Sequence, residues 1–190
     1  MDTSIRSQNE NFQYDPQISG FDSTFWKTMS GAPAISSNKI RLNTAEIVSY
    51  SFYKGGVYKF AINAPVAPVA GQDKAWGLYT PSLGNKSRIE FKMLEAVFSV
   101  IFYDKDGNTA FDIPITWDAA WTATEAIYEV RIFEGGITIW INNVCKYRYM
   151  MNIAPNRKRM LEAAALHIRN SDADNLDVGY VSARAVQSLT

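Results

Sequence analysis

From Phe21 onward, apolar residues recur at every second position, and the pattern is interrupted repeatedly by Gly, Pro, Asn or Asp. A repeat of two belongs to an extended strand, whose side chains alternate between faces, whereas an amphipathic helix repeats near ~3.6 residues. Breaks this frequent leave room only for short strands joined by turns. Tyr58, Phe60 and Ile62 fall on one face with Lys59 on the other. Trp76 and Leu78 alternate with Gly77 and Tyr79, and Ile89, Phe91 and Met93 alternate with Glu90 and Lys92. Ala96 to Tyr103 is nearly continuous apolar, as expected of a central strand covered on both faces.

Turn chemistry separates these runs. Asp104 to Asn108 and Glu134-Gly135-Gly136 read as hairpin turns, and Asn142-Asn143 as a third, because Asn tolerates positive φ. Met160 to Ala165 is the one segment that reads as a short helix. Strands resume with Leu166 and Ile168 opposing His167 and Arg169, then with Val178, Tyr180 and Val181. The pattern predicts an all-β, two-sheet antiparallel sandwich over residues 21–190. Its expected core holds Trp76, Phe91, Phe98, Phe102, Tyr128, Val130, Ile132, Ile137 and Ile139, with Lys59, Glu129 and Arg131 exposed or at a subunit contact.

Residues 1–20 form a polar arm with few anchors, expected to fray or to dock on a neighbouring subunit through Phe12 and Tyr14. Deleting it should leave the sandwich folded. The arm has no apolar core of a signal peptide, and no membrane-spanning run occurs. The 190 residues are 47% hydrophobic, and 19 basic side chains balance 19 acidic ones, which disfavours a globally basic nucleic-acid binder. A single cysteine, Cys145, excludes an intrachain disulfide, and a single histidine, His167, excludes any one-chain relay or zinc site that needs two.

The stretches FDSTFWKTMSG, AWGLYTPS, RIEFKMLEAVFSVIFYDKDG, YEVRIFEGGITIWINNV and LHIRNSDADNLDVGYVSARAV follow one another in an order that resembles the concanavalin A-like lectin and glucanase superfamily. Laminin G-like domains of phage type are included in that resemblance, which covers about Phe21 to Ser188. It implies that the sandwich is a jelly roll but does not choose among lectins, hydrolases and structural modules.

The resemblance also implies where chemistry would sit. In the retaining glucanases of this fold a strand carries paired carboxylates, and the matching positions here are Glu90 for the nucleophile, Lys92 where an assisting Asp is wanted, and Glu95 for the acid/base. A lysine cannot perform a carboxylate's part. Residues five apart on a regular strand also face opposite ways unless a bulge intervenes. These residues are therefore expected to be solvent-facing charges without catalytic function, and Glu90→Gln to behave like the inactive parent.

Other clusters also have ordinary readings. Asp104, Asp106 and Asn108 imitate the opening of a calcium loop but lack its Gly and Glu, and read as a β-turn. Asp172, Asp174 and Asp177 suit a hard cation, yet no distant partner residue is visible, and neither a metal nor a cofactor is expected. His167 reads as a surface or hydrogen-bonded histidine, and Cys145 as a half-buried small residue. Arg157, Lys158 and Arg159 form a basic loop, solvated or in contact with an acidic neighbour. Trp140 and Tyr79 lie in the phase opposite the core, the pair best suited to stack on a sugar ring.

These features lead to the expectation of a non-enzymatic virion structural or decoration protein on a phage capsid, fibre or tail, made in the host cytoplasm. Its partners would be other virion subunits in homo-oligomer or lattice contacts, and possibly glycans, with no nucleic acid or membrane. A carbohydrate-binding module is the alternative reading, and a degenerate glucanase relative the third.

Overall fold

The computed structural model describes residues 12–50, 56–64, 67–80, 86–104, 106–118, 120, 124–133, 136–150 and 164–184. In chain order the elements begin with β1 (Phe12–Tyr14), a helical turn α1 (Pro16–Ser19), β2 (Trp26–Ser30), β3 (Ala34–Ser36), β4 (Lys39–Leu42) and β5 (Ala45–Ser49). There follow β6 (Gly56–Asn63), β7 (Asp73–Tyr79), β8 (Arg88–Leu94), β9 (Val97–Tyr103) and β10 (Thr109–Pro114). The last five are β11 (Ala126–Phe133), β12 (Gly136–Ile141), β13 (Val144–Met150), β14 (Ala165–Asn170) and β15 (Leu176–Arg184).

These strands make two antiparallel sheets. One runs β13-β12-β11-β6-β15-β4-β3, with β1 on β15 as its eighth strand, and the other runs β10-β9-β8-β7-β14-β5-β2. Alternation aims the apolar phase of each strand between the sheets. Trp76 lies at the centre, with the Phe91, Phe98 and Tyr128 rings at centroid distances of 6.3, 5.9 and 4.7 Å. Each large apolar side chain buried this way contributes roughly 1.5–3 kcal/mol. The predicted core residues are buried, except that Ile132 is only partly so and packs on its rim.

The turn at Asn142-Asn143 has both residues left-handed, at φ 48° and 64°, and closes a two-residue hairpin in which Ile141 pairs with Val144. In β15 the alternation changes phase at a bulge between Val178 and Tyr180. A Cβ on the intervening Gly179 would meet the Glu125 carboxylate at 1.8 Å. The bulge keeps Val178 and Val181 inside while turning Tyr180 outward.

Three expectations differ from the structure. Residues 12–20 pack on their own sandwich: β1 pairs with β15, and Tyr14, 3% exposed, stacks on Phe25 at 5.2 Å. The Tyr14 hydroxyl donates to the Gly20 carbonyl and accepts from Asp22 N, so a ring assigned to a neighbour is tied into its own chain. Of the expected helix, residues 160–163 lie outside the described residues, and Ala165 opens β14, where ladders to β5 and β7 supply its backbone partners. Glu129, expected exposed, is 2% exposed because Lys59 and Arg131 close over it as ion-pair partners.

Candidate functional site: a charged cluster along strand β7

The outer face of the seven-stranded sheet is built around the small residues of β7. Facing outward along that strand are Asp73, Ala75, Gly77 and Tyr79, and its neighbours present Arg169 and His167 from β14 and Lys92, Glu90 and Arg88 from β8. Register sets His167 and Glu90 on either side of Gly77, and Arg169 and Lys92 on either side of Ala75. Glycine supplies no side chain between the first pair, so the two meet across the intervening strand. A Cβ at Gly77 would lie 2.0 Å from the Ile89 carbonyl oxygen, so the position admits nothing larger.

Glu90 is 0% exposed and His167 4%. His167 Nε2 is 2.8 Å from Glu46 Oε1, and its Nδ1 is 3.6 Å from Glu90 Oε1. Arg88 lies 3.6 Å from the same Glu90 oxygen, with its guanidinium 4.1 Å from the Tyr103 ring centroid. Arg169 reaches Asp73 at 2.8 Å and Glu90 Oε2 at 3.5 Å, while Lys92 pairs with Asp73 at 3.2 Å. Among the described residues neither Glu90 Oε1 nor His167 Nδ1 has a partner at hydrogen-bond distance, although both are buried.

The charge states follow from these neighbours. Burial pushes the Glu90 carboxyl up, but His167, Arg169 and Arg88 outweigh it and hold the group below the usual carboxylate range. Burial likewise disfavours a charged His167, yet Glu46 and Glu90 on its two sides raise its pKa above the ordinary imidazole value. The hydrogen bond with His167 holds Glu46 down. The result is a Glu46–His167–Glu90 series on the outer side of the sheet, with Arg88, Arg169 and Lys92 beside it.

This arrangement corrects the expectation that Glu90 is solvent-facing and leaves Lys92 only partly so, while His167 is hydrogen-bonded, one of its two expected readings. Alternation placed them on the outward face correctly, but outward does not mean exposed where side chains from three strands converge over small residues. The signal present in the sequence was the Ala75-x-Gly77 pair on a strand otherwise filled by large residues. Glu95 does not join the site. β8 pairs with β7 and β9 without a register shift, and Glu95 sits beyond its end at φ 54°, accepting from Gly71 N at 3.3 Å.

The remaining candidates are dispersed. Tyr79 borders the cluster, 5.5 Å from the His167 ring, whereas Trp140 belongs to β12 on the outer face of the other sheet, so the two rings cannot grip one sugar. Cys145 is exposed, not half-buried, because a register shift next to Trp140 disturbs the alternation there. Asp104 accepts from the backbone of Asp106 and Asn108, both at 2.9 Å, which makes the turn. Asp177 holds Arg41 bidentately at 2.8 and 2.9 Å, and Asp172 accepts from Val69 N. The fully buried Lys74 supplies the positive charge beside Asp172, Asp174 and Asp177, with Nζ 3.2 Å from the Asn175 carbonyl. Phe12 lies in β1, and Arg157, Lys158 and Arg159 fall outside the described residues.

The architecture is a two-sheet jelly-roll sandwich of the concanavalin A-like fold. Among solved structures the chain is similar to the apo Crh5 transglycosylase, with 11% identity, a TM-score of 0.75, and coverage of 95% of this chain and 86% of that one. It is similar to a Bacillus licheniformis β-glucanase at 12% identity and TM-score 0.72, covering 94% and 99% of the two chains. The laminarinase catalytic domain of Thermotoga maritima matches at 8% identity and TM-score 0.73, covering 93% and 98%. No family model and no curated protein sequence matches the chain. Identities this low establish the fold. They also correct the expectation of a non-enzymatic virion component, since these structural neighbours are enzymes of carbohydrate chemistry and none is a virion protein. The phage laminin G-like detail of the resemblance finds no support.

Proposed function

We propose that the protein cleaves or transfers β-linked polysaccharide at the charged cluster along β7, with Glu90 as the reacting carboxylate and His167 as the proton donor. The carrying observation is the pair Glu90 Oε1 and His167 Nδ1, buried and 3.6 Å apart, neither with a hydrogen bond of its own among the described residues. An ionised carboxylate has the charge state a nucleophile needs, and an imidazolium beside it has the proton a leaving sugar oxygen needs. Glu46, on the far nitrogen of the ring, keeps the imidazolium charged and oriented. The structural neighbours named as glucanase, laminarinase and transglycosylase support the substrate class.

The chain departs from the two-carboxylate arrangement of retaining glycosidases. With an imidazole ring between them, Glu46 and Glu90 stand further apart than the roughly 5–5.5 Å of a retaining pair. Lys92, spent on Asp73, occupies the strand position after Glu90 on the same face. The acid/base role therefore falls to His167 and not to Glu95.

The test is product release from mixed-linkage β-glucan, laminarin and chito-oligosaccharides, with transfer products followed by mass spectrometry. Turnover is expected from the parent, with a loss of about 10³-fold or more in Glu90→Gln. Azide, a small nucleophile, should restore part of the rate of Glu90→Ala. A parent that releases and transfers nothing from any of the three, or a Glu90→Gln variant as active as the parent, overturns the proposal.

A further inference from the structure

The opposite side of the sandwich carries a concavity. On the outer face of the eight-stranded sheet a groove of about 590 Å³ is lined by β6, β11 and β15, with Gln13 of β1 at its edge. Register explains its shape. Val57 of β6 stands between Arg131 of β11 and Arg184 of β15, so a short apolar floor separates two long cationic walls. In the next row Lys59 stands between Glu129 and Ser182. The Gly179 bulge adds Tyr180 by turning it outward, a position that unbroken alternation would have given to other residues.

The lining holds three cations, Lys59, Arg131 and Arg184, against one carboxylate, Glu129. Glu129 lies at the bottom, held by Lys59 at 3.1 Å and by Arg131 Nε. The Arg131 guanidinium lies 4.1 Å over the Trp140 ring, and Trp140 Nε1 is anchored on Thr138 Oγ1 at 2.8 Å. This stacking fixes the plane of the guanidinium. Arg184 is exposed and makes no ion pair or hydrogen bond among the described residues.

The geometry points to a second saccharide site in this groove, selective for a carboxylate-bearing sugar such as a uronate. Arg184, with the terminal amines of Arg131, takes the carboxylate, the geometry in which arginine outperforms lysine. Tyr180, Ser182 and the Gln13 amide offer donors and acceptors to ring hydroxyls. A uronate can set a neutral ring hydroxyl on Glu129 while its carboxylate lies away at the Arg184 wall, a separation that a phosphate dianion, charged over its whole small surface, does not offer. A nucleic acid is disfavoured by the Glu129 carboxylate and by a chain with no formal net charge. The site lies on the other sheet from Glu90 and does not depend on the reaction there.

Calorimetric titration of the full chain with trigalacturonate, its methyl ester, inorganic phosphate and a single-stranded oligonucleotide tests the assignment. Trigalacturonate should bind, more weakly as salt rises, and the uncharged ester about tenfold more weakly or not at all. Arg184→Glu, at an exposed position that leaves folding alone, should weaken trigalacturonate by about tenfold or more. Binding should persist in Glu90→Gln, so that failure of the reaction and failure of this site are read separately. Absence of trigalacturonate binding, an ester that binds equally well, or an Arg184→Glu variant with parental affinity overturns the proposal. So does phosphate or the oligonucleotide binding as tightly as trigalacturonate.

Discussion

Replacing His167 by Asn removes the cation between two carboxylates while leaving the backbone of β14 as it is. Breaking a fully buried ion pair costs about 3–5 kcal/mol, because a charge is left without compensation. Two features of this site reduce that cost. Glu46 has a side chain 36% exposed, so water screens its half of the interaction, and Glu90 keeps Arg169 at 3.5 Å and Arg88 at 3.6 Å. The expected loss is about 2–3 kcal/mol, or roughly 5–10 °C in melting temperature for a domain of this size.

The loss must also depend on pH, with a determined sign. The folded pKa of His167 is raised above its ordinary 6.5, so its contribution is fully present below 6.5 and disappears as pH rises through the folded value. The carboxyls of Glu46 and Glu90 are lowered from 4.5, so their contribution is present above 4.5 and fails only as pH falls through their folded values. Urea unfolding near pH ~6 and ~9, followed by circular dichroism, therefore separates the two. The parent should lose stability toward the higher pH, and the Asn variant should differ from it most near pH ~6. An equal difference at both pH values, or one below about 0.5 kcal/mol at the lower, refutes the charged-histidine account.

Gly77→Ala places a methyl group against the β8 backbone, 2.0 Å from the Ile89 carbonyl, and should cost about 3 kcal/mol or more in the same unfolding assay. A variant within about 1 kcal/mol of the parent would show that β7 and β8 separate easily. Tyr14→Ala should cost about 3 kcal/mol, since the ring is buried against Phe25 and Trp26 and its hydroxyl ties Gly20 to Asp22. Deleting residues 1–20 removes both that ring and the β1 ladder, so thermal melting should fall by at least as much. A truncated chain that melts with the parent would return the segment to the role of a dispensable arm.

How much of this was legible in the sequence depends on the range over which each feature is decided. Strand phase is local, and all of the core residues it named but Ile132 are buried. Trp76, Phe91, Phe98 and Tyr128 are inward because of their own neighbours in the chain, whereas Trp26, Ile40, Leu42 and Ile47, equally buried, were not named. The Asn142-Asn143 turn was legible for the same reason, since positive φ is a property of those residues. The resemblance singled out Glu90, and phase put it on the outer face with Lys92. What the sequence could not determine is what stands beside an outward residue. Glu90 meets Arg169 across 79 positions, and does so only because topology inserts β7 between β8 and β14 and register sets Gly77 between Glu90 and His167. Burial of Glu129 under Lys59 and Arg131, and the separation of Tyr79 from Trp140 onto different sheets, were decided the same way. Alternation says which way a side chain points, but the pairing order of strands distant in the chain decides whether it meets water, a partner charge or another ring.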